Sequence, residues 1–114
     1  MNTPKSYFKQ NGFPNEVYKN TGIRKIVVQE IQELALQHNI EKVILFGSRA
    51  RGDYKEKSDI DLACIGGNYV RFSLDVDELT STLLQYDIVN LDGAVQEELL
   101  DSIQKEGMVI YEKV

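Results

Sequence analysis

The chain has no tryptophan, a single histidine, a single cysteine and two prolines. With Cys64 alone, no disulfide can form within the chain. His38 and Cys64 together are too few for a structural zinc site, which takes four nitrogen or sulfur ligands. Basic residues are in deficit, 13 Lys and Arg against 18 Asp and Glu, a net charge of −5. A chain-wide basic groove for nucleic acid is excluded on that balance. No stretch approaches the ~18 consecutive apolar residues of a membrane span. Residues 1–20 contain no apolar run of signal-peptide type. These absences give an expectation of a cytoplasmic, reducing setting, with no membrane and no direct nucleic-acid partner.

What is present is enough for one domain. The 114 residues fit a single core, one that buries roughly 65% of the unfolded surface. Residues 1–20 scatter Tyr7, Phe8, Phe13 and Tyr18 among polar residues. They read as an N-terminal arm that lays a ring or two on the core, or contacts a partner. The domain proper is read as 21–114.

From Thr21, a candidate N-cap, apolar residues recur at helical spacing and predict a helix over 21–38. His38 falls in its last turn, where a cation suits the helix dipole. Val43-Ile44-Leu45-Phe46 reads as a buried strand, and 59–65 as a second. Phe72, Val76, Leu79 and Leu83 predict a helix over 72–85, and Asp87–Leu91 a third strand. Asp92 can cap a helix over 93–106, closed by Gly107, before a short fourth strand at 108–111. The expected fold class is α/β (α+β): a small mixed sheet of about four strands with helices packed on it.

One segment carries chemistry. Gly47-Ser48 is followed by ten residues and then Asp59-Ile60-Asp61. Side chains two apart on a strand leave the same face, so both carboxylates converge while Ile60 and Leu62 turn to the core. Two convergent carboxylates make a hard oxygen site suited to Mg²⁺. Asp75 and Asp77 share the spacing but fall on a predicted helix. There they diverge by roughly 200° and read as solvated surface.

Gly47 lets a phosphate approach the backbone closely, and Ser48 adds a hydroxyl and an N–H at a helix start. Arg49, Arg51, Lys55 and Lys57 place four cations within nine residues of an acidic chain. A Mg-bound triphosphate suits that combination. The segment is neither a Walker loop nor a dinucleotide fingerprint.

The segment Gly47–Asp61 resembles the signature of the polymerase-beta-like nucleotidyltransferases. Within them the chain is similar to the minimal nucleotidyltransferases, encoded beside a small helical partner of the HEPN class. The resemblance spans about residues 21–111. It implies a nucleoside triphosphate (ATP foremost), two Mg²⁺ ions, and transfer of a nucleotidyl group to a hydroxyl. It calls for a third carboxylate on a neighbouring strand, and Asp87 matches better than Asp92. Asp59, Asp61 and Asp87 would then be the catalytic and metal-holding residues, and Gly47, Ser48 and Arg49 would hold the pyrophosphate. The resemblance further implies an antitoxin that adenylylates its HEPN partner, and it leaves room for a homodimer. Two alternatives stand beside it: a non-catalytic nucleotide-binding module that neutralises the partner by occlusion, or a subunit acting on small aminoglycoside-like hydroxyls.

Overall fold

The computed structural model describes residues 19–114. The arm expected over 1–20 lies, except for Lys19 and Asn20, outside the described residues. Among the described residues, four helices and four strands follow in the order α1 (Lys25–Gln37), β1 (Lys42–Phe46), α2 (Ser48–Arg51), β2 (Ile60–Ile65), α3 (Tyr69–Leu79), β3 (Tyr86–Asn90), α4 (Glu97–Glu106) and β4 (Met108–Glu112). The strands form one sheet in the order β3-β2-β1-β4. β1 runs antiparallel to β2 and β4, whereas β2 and β3 run parallel. A parallel pair needs a long crossover, and α3 provides it. The expected mixed sheet with packed helices is therefore the fold observed. Among the described residues, no helix is long and apolar enough to cross a membrane.

Strand alternation sorts the core into two layers. On one face Val43, Leu45, Ile60, Leu62 and Ile110 pack against Val27, Ile31 and Leu34 of α1 and Phe72 and Val76 of α3. On the other, Phe46 and Ala63 meet Ile103 of α4, with Ile44, Val89 and Leu99 around them. Asp61, between Ile60 and Leu62, therefore leaves the sheet on the α4 side.

Several boundaries differ from expectation for local reasons. Thr21 does not cap α1. Its Oγ1 accepts from the Ile23 N–H at 3.1 Å, a turn that competes with helix, and Arg24 takes the N-cap place. α3 begins earlier than expected, capped by Asn68, whose side chain accepts from the Arg71 N–H. It also ends earlier, at Leu79. Thr80 turns extended, its hydroxyl donating to the Val76 carbonyl and pairing with the Tyr86 hydroxyl. Leu83, expected on a buried helical face, is 103% exposed.

Asp92 is not a helix cap either. Its carboxylate accepts from the Gly66 N–H at 2.7 Å, tying the β3–α4 turn to the end of β2. α4 instead starts at Glu97, with Gln96 as N-cap. Gly107 follows α4 in extended rather than left-handed conformation, its N–H on the Ile103 carbonyl.

Asp75 also departs from expectation. It was expected to be solvated, yet its carboxylate bonds His38 Nε2 at 2.7 Å, the two side chains only 13% and 12% exposed. The pair joins the end of α1 to the middle of α3. His38 is therefore structural, as expected, while Asp77 is exposed.

Candidate active site

The site lies where β1 ends and β2 begins. Phe46, the last residue of β1, stands opposite Asp61, and Asp61 stands in register with Asp87 on the parallel strand β3. Register partners share a face, so these two carboxylates emerge side by side. Asp59 sits just before β2, exposed, in the segment that enters the strand. It was expected inside the strand, but β2 starts where the Ile60 N–H finds the Gln85 carbonyl.

Electrostatics ties the three together. Asp61 is raised from 3.8 to about 6, by burial first and then by the charges of Asp87 and Asp59. Arg51 and then Arg49 oppose it. Asp61 is half-buried while Asp59 and Asp87 are exposed, so solvent reaches the cluster from the side of the outer two. Among the described residues, no three His, Cys, Asp or Glu side chains are drawn tightly enough to chelate an ion as they stand. The donor set is nevertheless that of a hard divalent cation: carboxylate oxygens with repulsion that such an ion would relieve.

Gly47 closes the other side of the site. Its φ of 78° lies in the left-handed region, which glycine tolerates. A Cβ there would run into the Asp61 carboxylate. The missing side chain is therefore what lets Asp61 lie against the turn. The Gly47 carbonyl accepts from the Ala50 and Arg51 N–H groups and starts α2. The N–H groups of Ser48 and Arg49 come before that first helical bond and have no acceptor within the helix.

The structure separates the four cations of the signature. The Arg49 side chain is 1% exposed. Its guanidinium donates to the carbonyls of Ser58, Thr21, Lys55 and Glu56 and sits 4.8 Å from the Tyr54 ring centre. Its donors are thus directed into the protein, and the loop from Gly52 to Asp59 is wound around it. What Arg49 can offer a phosphate is its backbone N–H. Arg51 is the half-exposed cation that faces the site. Its guanidinium holds Asp53 at 3.2 Å and Glu106 at 2.9 Å.

Glu106 escaped the sequence reading. It reaches the signature turn from the end of α4, a distance along the chain that no local spacing signals.

Comparison with known proteins gives the family and the fold. A family model described as polymerase beta, nucleotidyltransferase matches residues 29–114. A chain of Methanocaldococcus jannaschii, provisionally named a protein adenylyltransferase, is 41% identical over 81 residues, which is 63% of this chain and 79% of that one. In a crystal structure of a toxin-antitoxin with AMP-PNP, one chain superposes with a TM-score of 0.62 at 19% identity, over 75% of this chain and 73% of that one. A Sulfolobus solfataricus chain, provisionally described as a nucleotidyltransferase, gives a TM-score of 0.52 at 23% identity, over 87% and 90% of the two chains. The solved structures establish a shared fold, and the family match covers the whole site from Gly47 to Asp87. The chain thus belongs to the polymerase beta nucleotidyltransferase family.

Proposed function

We propose that this nucleotidyltransferase moves AMP from ATP to a hydroxyl of a helical, HEPN-type partner protein and acts as its antitoxin. The observation that carries the reading is the register of Asp61 and Asp87, side by side on parallel strands against a glycine turn. The provisional name of the archaeal relative supports a protein acceptor. The toxin-antitoxin neighbour with AMP-PNP supports a two-protein system and a triphosphate of adenosine.

Asp59, Asp61 and Asp87 would hold Mg²⁺, two ions in the full site. Bound there, the metal supplies positive charge against the departing oxygens and makes the acceptor hydroxyl more acidic. The other parts fall to the chain itself. The Ser48 and Arg49 N–H groups receive the β- and γ-phosphates at the start of α2. Arg51 adds a movable cation at the same edge. Asp87, exposed at the start of β3, is placed to take the proton of the incoming hydroxyl. That oxygen attacks the α-phosphorus, the bond to the bridging oxygen breaks, and pyrophosphate leaves toward the glycine turn.

The test is to co-purify the chain with the protein encoded beside it and add Mg²⁺ with α-labelled or γ-labelled ATP. The α label is expected on the partner, with an intact-mass increase of one nucleotidyl group, and the γ label is expected to remain in solution. An unlabelled partner, with the nucleotide on an aminoglycoside-like hydroxyl instead, would refute the proposal.

A further inference from the structure

Glu106 is the last residue of α4. A helix C-terminus disfavours an anion, yet this carboxylate is only 22% exposed and is directed at the signature turn. Oε1 accepts from the Gly47 N–H at 3.2 Å and from Arg51 Nη1 at 2.9 Å. The two donors stand at opposite ends of α2: Gly47 is its N-cap and Arg51 its last residue. The Gly47 carbonyl is meanwhile held by the Ala50 and Arg51 N–H groups, at 3.1 and 3.0 Å. The glycine is thus fixed on both sides, its N–H by α4 and its carbonyl by α2. Without the carboxylate, one of the two anchors is gone, and a glycine passes readily between positive and negative φ.

We infer that Glu106 is a positioning residue for nucleotide binding. It keeps Gly47 in the one conformation that seats Asp61 against it, and it keeps Arg51 at the rim of the carboxylate cluster. Glu106 engages neither the Ser48 nor the Arg49 N–H, so it anchors the turn without taking the donors assigned to phosphate. α4 is thereby more than a cover for the sheet, because its C-terminal carboxylate sets the geometry of the turn. The inference rests on the nucleotide-binding reading of that turn.

The experiment compares the full chain with Glu106→Ala and Glu106→Gln in ¹⁵N spectra, first without nucleotide and then through a titration with Mg-ATP. In Glu106→Ala, hydrogen exchange at the Gly47 amide should quicken and the Mg-ATP Kd should rise, each about tenfold, as for a lost charge-assisted hydrogen bond. Exchange at Leu45 and Leu62, inside the sheet, should stay unchanged, which separates a local anchor from general loosening. Glu106→Gln should recover most of both losses, because an amide oxygen accepts the same N–H. Equal Gly47 exchange in Glu106→Ala and wild type would overturn the inference. So would equal affinity for Mg-ATP in the two. A wild-type spectrum indifferent to Mg-ATP would instead fail the nucleotide reading, and the positioning role with it.

Discussion

Burial, Asp87 and Asp59 together push Asp61 up to about 6, so above that pH the folded chain carries a carboxylate that its surroundings disfavour. A raised folded pKa contributes stability that is full below the ordinary value of 3.8 and is lost as pH rises through about 6. Asp61→Asn removes the charge and should stabilise the metal-free protein at pH 8 by about 1 kcal/mol, a figure reduced for the solvent that reaches this half-buried group. Urea unfolding in EDTA at pH 8 and again below pH 4 checks this; the difference should vanish at the lower pH. The same variant should be inactive, which sets stability and activity in opposition at one residue. Gly47→Ala acts differently. Its Cβ meets the Asp61 carboxylate and its φ is 78°, so it should cost ~1–3 kcal/mol and abolish transfer. A melting curve beside an activity assay measures both, and a stable and active Gly47→Ala would contradict this role of the turn.

At the scale of elements, the signature loop is organised around a buried guanidinium. Four carbonyls and the Tyr54 ring hold Arg49, and a lysine cannot reproduce that fork. Arg49→Lys should therefore lose about 2–4 kcal/mol even without nucleotide, through carbonyls left unpaired; thermal unfolding of the nucleotide-free chain measures it. If Arg49 served only the pyrophosphate, the melting temperature would not move. The pair Asp75 and Asp77 gives a second contrast. Asp75→Asn should weaken the α1–α3 contact by about 1–2 kcal/mol through the His38 bond, whereas Asp77→Asn should be silent, and neither should alter transfer. Denaturant midpoints of the two single variants decide it.

These cases also mark what the sequence makes legible. β1 and β2 are readable because apolar runs bounded by polar turns leave few alternatives. Asp61 is readable because it alternates with apolar residues at the head of such a run, and Asp87 because the resemblance calls for a third carboxylate and Asp87 opens the next run. The burial of Arg49 is not readable, because its partners are backbone carbonyls, which every loop possesses. Nor is the anchoring of the turn by Glu106, which depends on where α4 ends in space. Leu83 misleads for the same reason: helical spacing continues past Thr80, but the Thr80 hydroxyl finds partners that end the helix.

At the scale of the whole molecule, the order β3-β2-β1-β4 does the assembling. The antiparallel β1–β2 pair brings the glycine turn to the start of β2, and the parallel β2–β3 pair brings Asp87 beside Asp61. α1 and α3 cover one face of the sheet, α4 the other, and the carboxylates emerge on the α4 side at the strand ends. In the proposed function this cluster performs nucleotidyl transfer. Its most direct test is the rate of pyrophosphate release from ATP with Mg²⁺ and the co-purified partner, measured for wild type and Asp61→Asn side by side. Pyrophosphate is expected from the wild type, none when EDTA is added, and a loss of at least about a hundredfold in the variant, in line with several kcal/mol of lost charge stabilisation. Equal rates from the two proteins, or release of inorganic phosphate in place of pyrophosphate, would contradict it.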